Sequence, residues 1–333
     1  MNPYLLTALI LLGVLLLLLC LLLAASGYLY KFAVKSRHDE PTDEQFDRWL
    51  TGAGKGECLA LLNEGRADYN GRAKNAEHRY ITSFDGLRLH ALFFECPTAP
   101  RGIIIISHGY RSAARHDFAP VLKKYLGLGF HVLAVDHRGH GKSEGEDICF
   151  GVKERYDMRD WLKSLEESHP HLPVLISGIS MGATIALMTA ALPDVPQNLA
   201  GVSADCGYSH PRKEVCHVLK SNMKLPVFPL YHIADLICRA RSGFSFNECD
   251  LVKEINGITV PVLFIHGLAD DFVPPCHTEW MHEAFEGKKE LILVENAGHG
   301  VAYLEDPKRV STVLEGFFDD CLEGWSTKSR KNG

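Results

Sequence analysis

The chain begins with an unbroken apolar run. From Leu5 to Ala25 it reads LLTALILLGVLLLLLCLLLAA, relieved only by Thr7, Gly13 and Cys20, and no charged side chain precedes Lys31. At about 1.5 Å per helical residue, this stretch reaches roughly 30 Å, the thickness of a bilayer's hydrocarbon core. Tyr4 at one end and Tyr28 and Tyr30 at the other stand where interfacial aromatics are expected, and Lys31, Lys35 and Arg37 follow. The pattern predicts one spanning helix. A cleaved signal peptide is the alternative, but the segment lacks a basic leader and its run exceeds the usual length of about 7–15 residues. Positive charge on the trailing side places the rest of the chain in the cytoplasm.

Beyond this anchor and its basic flank (1–37), residues 38–78 are polar, with helix-like stretches at Asp43–Leu50 and Glu57–Leu62, and read as a stalk and helical lead-in. The period then changes. Tyr80–Phe84 and Leu87–Glu95 are strand-like and flank Asp85-Gly86, a dipeptide suited to a tight hairpin. Short apolar runs follow at Gly102–Ser107, Phe130–Val135, Pro173–Ser177, Leu199–Ala204, Val260–Ile265 and Glu290–Val294, as expected of strands buried on both faces. Helical patterns lie between most of them, near Ala114–Leu126, Lys153–Glu167, Ala183–Ala191, Cys276–Phe285 and Pro307–Cys321. This alternation predicts an α/β fold, a mostly parallel doubly wound sheet with an antiparallel start. About residues 207–257 the rhythm lapses, and an insertion there lies over the ligand crevice of such a sheet, as a lid. One domain at 79–324 and a tail at 325–333 complete the layout.

The composition narrows the function. Lys and Arg number 35 against 41 Asp and Glu, so there is no basic excess with which to grip nucleic acid. No Gly-x-Gly-x-x-Gly or Gly-x4-Gly-Lys-Ser/Thr loop occurs, and a nucleotide cofactor is not expected. Of 10 Cys, nine lie outside the apolar run, with no Cys-x-x-Cys or His-Glu-x-x-His spacing. They read as reduced thiols rather than as a disulfide framework or zinc site, and no metal or other cofactor is expected.

The chemistry lies in three loops. Gly178-Ile-Ser180-Met-Gly182 follows the strand-like PVLIS and precedes a helical stretch, the setting of a nucleophile elbow that presents a serine hydroxyl at the top of the sheet. Such a hydroxyl needs an imidazole as base and a carboxylate to orient it. His299, in ENAGHG, is the candidate base; Asp270, in HGLADDFVP, is the candidate acid, with its neighbour Asp271 and the strand-end Asp205 as alternatives. Backbone N–H groups of Met181, after the nucleophile, and of Tyr110, in SHGY, are the candidate oxyanion donors. His108 organises that loop, and Asp136 and Arg138 brace the neighbouring one by ion pairing.

His108-Gly109, Asp136-x-Arg138-Gly139-x-Gly141-x-Ser143, Gly178–Gly182, His266-Gly267-x-x-Asp270-x-x-Val273-Pro274 and Gly298-His299-Gly300 together resemble the landmarks of the α/β-hydrolase superfamily. The resemblance spans about residues 78 to 324 and is strongest to bacterial membrane-anchored serine hydrolases of the serine aminopeptidase-like group. It implies the α/β-hydrolase fold, and it places the acid at Asp270 rather than Asp271. The expected activity is hydrolysis of an ester or related acyl bond of a small or lipid-like substrate through an acyl-enzyme, as in a carboxylesterase or lipase. An aminopeptidase or acyltransferase would use the same residues, and a non-catalytic membrane scaffold would retain only the fold. The apolar Leu225–Ile237 favours an acyl pocket; Glu248, Asp250 and Glu254 are the candidates to receive a peptide's amine.

Overall fold

A computed structural model describes residues 2–36, 38–49 and 55–332; Arg37 of the basic flank and Leu50 of an expected helix lie outside them. The apolar run is helix α1, Pro3–Ala33, long and apolar enough to cross a membrane. Helices α2 (Asp43–Trp49) and α3 (Lys55–Ala73) precede the first two strands, β1 (Glu77–Thr82) and β2 (Arg88–Phe94). Then follow β3 (Gly102–Ser107), α4 (Ala114–Asp117), α5 (Ala119–Gly127), β4 (Phe130–Val135), α6 (Glu154–Ser168), β5 (Val174–Ile179), α7 (Met181–Ala190) and β6 (Leu199–Asp205). The insertion holds α8 (Pro211–His217), a π-helical turn at Val218–Asn222, α9 (Leu230–Arg241) and α10 (Leu251–Glu254). The chain closes with β7 (Val262–Gly267), α11 (Cys276–Ala284), β8 (Lys289–Val294), α12 (Ala302–Glu305) and α13 (Pro307–Asn332).

The eight strands form one sheet in the order β1-β2-β4-β3-β5-β6-β7-β8. β2 pairs antiparallel with both β1 and β4, and every later pairing is parallel. The unbroken apolar strands follow from two-sided burial, because successive residues face opposite sides of the pleat. In β3, Ile103 and Ile105 join the core that includes α6, α7 and the insertion, whereas Ile104 and Ile106 join the one with α3, α5 and α13.

Two helices depart from their predicted extents. The stretch expected as one helix from Ala114 to Leu126 is two, because Pro120 has no N–H to continue the first ladder and the chain restarts after Phe118. The last helix runs past Cys321 to Asn332, through most of the expected tail.

The chain leaving α1 is not free. Ser26, Leu29 and Tyr30 are buried, with α1 packed on α9 and the Tyr30 hydroxyl 3.0 Å from Ser242 Oγ. Val34 O then accepts from Ile148 N–H at 2.8 Å, and Ser36 N–H donates to Glu146 O at 2.7 Å. These residues precede the segment expected as a stalk, where α3 packs on α5 and Arg66 pairs with Asp47 at 2.8 Å.

Asp136 and Arg138 do not pair with each other. Asp136 takes His90 Nδ1 at 2.7 Å and Lys142 N–H at 2.9 Å, while Arg138 forks onto Asp157 at 2.6 Å and Asp85 at 2.9 Å. Arg138 and Asp157 are 3% and 4% exposed at their side chains, so neither charge has water to fall back on. Asp157→Ala removes one arm of this fork while Asp85 still holds Arg138, so it is expected to lower unfolding stability by about 1.5–3 kcal/mol, the usual worth of hydrogen bonding to a charged group; urea titration followed by far-UV circular dichroism measures it.

Candidate active site

β5 ends at Ile179 and α7 starts at Met181, leaving one residue for the turn. Ser180 takes φ 56° and ψ −121°, a strained conformation for a residue with a Cβ, and its N–H is held by Asp205 O at 2.8 Å. The flanking glycines are required by contact: a Cβ on Gly178 would lie 2.6 Å from Ala183 Cα, and one on Gly182 2.7 Å from His108 O. Backbone and helix thus close around the serine and leave its hydroxyl at the C-terminal edge of the sheet.

Ser180 Oγ is 2.8 Å from His299 Nε2, and His299 Nδ1 is 2.7 Å from Asp270 Oδ2. The other oxygen of Asp270 accepts N–H groups of Phe272 at 3.0 Å and Val273 at 2.9 Å. His266 Nε2 lies 2.9 Å from Val273 O, which can only accept, so this nitrogen carries hydrogen and also faces Asp270 Oδ2 at 3.2 Å. Burial opposes ionisation of Asp270, yet hydrogen bonding to His266 and His299 outweighs it and holds the carboxyl well below the usual range.

Neither alternative acid holds His299 Nδ1, which Asp270 occupies. Asp271 is exposed, and its backbone carbonyl faces His217 Nε2 at 3.2 Å. Asp205 is buried with Oδ1 unpartnered among the described residues, and burial, reinforced by the nearby Asp270 charge, pushes it up to about 6.

The loop after β3 approaches the serine closely, since a Cβ on Gly109 would stand 3.3 Å from Ser180 Cβ. Asp117, which no motif marked, grips it: one oxygen accepts Gly109 N–H at 2.7 Å and the other the Ser112 hydroxyl at 2.7 Å. His140 Nε2 accepts Arg111 N–H at 3.1 Å. Burial drives His108 down to about 3; its neutral ring donates from Nδ1 to Gly109 O at 2.8 Å and accepts His137 N–H at 3.3 Å, an organising role. From outside, the Tyr110 hydroxyl donates to Ala33 O at 2.8 Å and Arg111 to Phe32 O and Lys35 O. The last turn of α1 therefore clasps the loop that carries the Tyr110 N–H. Met181 opens α7, where helical N–H groups lack intrahelical partners.

Ser180 and His299 open onto a cavity of about 770 Å³. Its walls include Val215, Val218 and Leu219 from the insertion and, unforeseen in the sequence, Leu29, Tyr30 and Val34 from the end of α1. Glu248, Asp250 and Glu254 are not on the walls; Glu248 binds Ser245 N–H and Glu254 binds Asp250 N–H. Among the described residues, Cys206, Asp270 and His299 are the one grouping of three metal-ligand types. Burial and two nearby carboxylates hold the Cys206 thiol well above its usual range, and both His299 nitrogens are engaged, so this set fits a hydrogen-bonded acid-base site better than a metal centre.

The chain as a whole is similar to known proteins. The family described as "Serine aminopeptidase, S33" matches residues 98–233. The protein YqkD of Bacillus subtilis is 31% identical over 218 residues, covering 65% of this chain and 71% of that protein. The chain is an α/β-hydrolase. The monoglyceride lipase of Homo sapiens is 26% identical to this hydrolase over 269 residues, covering 71% of the chain and 87% of the lipase. The esterase Pf2001 of Pyrococcus furiosus shares its fold with a TM-score of 0.61 at 23% identity, over 74% of this chain and 93% of the esterase.

Proposed function

We propose that the enzyme hydrolyses carboxylic esters through a Ser180–His299–Asp270 triad. The observation that carries this reading is the hydrogen-bonded chain Asp270–His299–Ser180, with links of 2.7 and 2.8 Å, ending at an apolar-walled cavity. Ser180 Oγ attacks the ester carbonyl while its proton passes to His299 Nε2, and Asp270 steadies the imidazolium. The oxyanion is received by the N–H groups of Met181 and Tyr110. Collapse breaks the bond to the alcohol, which leaves with the proton from His299; water repeats the sequence on the acyl-enzyme and releases the acid.

The esterase and lipase named above support an ester as substrate, and the walls of the cavity suit an aliphatic acyl chain. The aminopeptidase reading loses its amine acceptors, because Glu248, Asp250 and Glu254 stand away from the cavity. We read α1 as a retained anchor, since its last turns pack on α9 and line the cavity, and the basic residues that follow it favour a cytoplasmic catalytic domain. A fluorophosphonate probe is expected to label the wild-type chain, and p-nitrophenyl decanoate to be cleaved faster than the acetate. A wild-type chain that neither labels nor cleaves these esters would instead be a scaffold.

A further inference from the structure

Besides Asp117, Asp205 and the exposed Asp271, described above, the cavity wall carries a fourth acidic side chain that the triad does not use. Glu214 of α8 is 4% exposed and lines the cavity with Val215, Val218 and Leu219. Residues 214 and 218 stand four apart, so they share one face of the helical segment. Neither Glu214 oxygen has a hydrogen-bond partner among the described residues. The nearest candidate is His277, whose Nδ1 accepts Ser209 N–H at 3.2 Å, leaving Nε2 to carry hydrogen in the neutral ring. That nitrogen lies 3.8 Å from Glu214 Oε2, too far for a direct bond.

A buried carboxyl without a partner is costly, and a protein keeps such a group where a ligand completes it. Burial, with the Asp270 charge adding to it, holds the Glu214 carboxyl well above its usual range and so favours its neutral form. A neutral carboxyl offers one donor and an acceptor, the complement of an alcohol. An ammonium would demand that the acid ionise, which burial and Asp270 both oppose. Val215, Val218 and Leu219 beside it are aliphatic and pair with hydrocarbon.

We propose that Glu214 is a specificity-determining residue that hydrogen-bonds a free hydroxyl carried by the ester substrate, so that a polyol ester is preferred over a simple alkyl ester of the same acid. The proposal rests on the ester-hydrolase reading above.

The full-length enzyme, in detergent, is assayed on 2,3-dihydroxypropyl decanoate and methyl decanoate, with Glu214→Leu and Glu214→Gln beside the wild type. Losing one hydrogen bond of about 1.4 kcal/mol, Glu214→Leu is expected to cut kcat/KM on the dihydroxypropyl ester about tenfold. Methyl ester hydrolysis is expected to stay within about twofold, and Glu214→Gln, which keeps a donor and an acceptor, to retain most of the preference. Since the carboxyl has no protein partner to lose, Glu214→Leu is also expected to melt no lower than the wild type. An unchanged ratio between the two esters, or an equal loss on both, overturns the proposal while leaving the triad reading intact. So does a loss confined to leucine p-nitroanilide, which would assign Glu214 to an amine. Failure of the wild type on every ester overturns both readings.

Discussion

Ser180→Ala is expected to lower kcat on p-nitrophenyl esters by about four to six orders of magnitude while the protein still folds. The size of the effect follows from the removal of the atom that forms the covalent bond. His299 and the two N–H donors would remain in place, so residual turnover reflects water attacking a bound and polarised ester rather than the acyl-enzyme route. Alanine retains the Cβ that the elbow already accommodates at φ 56°, so the turn is not asked to change. The melting temperature is therefore expected to hold, and KM to rise toward the true dissociation constant of the ester, because no acyl-enzyme accumulates. Burst kinetics separate the outcomes: the wild type should release one equivalent of p-nitrophenol rapidly before the steady rate, and the variant none. Wild-type turnover by Ser180→Ala would refute the mechanism.

The features legible in the residue pattern alone are local ones. The two-sided burial of β3 and β7 is written as runs of Ile, Val and Phe, and the Ser180 elbow, the Asp270 loop and the His299 loop each carry glycines or prolines at fixed offsets. These three loops meet because parallel strands present their C-terminal ends on one edge of the sheet. The partners of Arg138 are not legible, because Asp85 lies 53 positions away and Asp157 sits on a helix whose face is set by packing. Asp117 escapes the pattern for a similar reason: it ends a four-residue helix that exists only because Pro120 interrupts the longer periodicity. The α1 contribution is hidden most completely. Its last turns belong to the same helix as the apolar run, and only the fold shows that Leu29, Tyr30 and Val34 turn from the anchor toward the cavity.

Asp270→Asn is expected to reduce kcat by about four orders of magnitude at pH 7, through the tautomer rather than the shape of His299. Asp270 Oδ2 accepts from two rings, His299 at 2.7 Å and His266 at 3.2 Å, while Oδ1 accepts two backbone N–H groups. Those backbone donors compel an asparagine to place its carbonyl oxygen at the Oδ1 position, which turns its NH₂ toward both rings. His299 then presents a lone pair at Nδ1, carries hydrogen at Nε2, and has no lone pair with which to take the Ser180 proton. Ionisation of Asp270 is favoured by the fold, with its pKa lowered from the ordinary carboxylate value, so this contribution to stability is present above the unfolded pKa and is lost as pH falls through the folded one. The asparagine variant lacks that dependence and should have a flatter melting profile below about pH 4. Asp271→Asn, at an exposed residue, should leave kcat within about twofold. Asp205→Asn tests the remaining acid: its carboxyl sits near His299 but does not hold Nδ1, so its loss should be no more than about tenfold. A ranking in which Asp205→Asn costs more than Asp270→Asn would transfer the orienting role to β6.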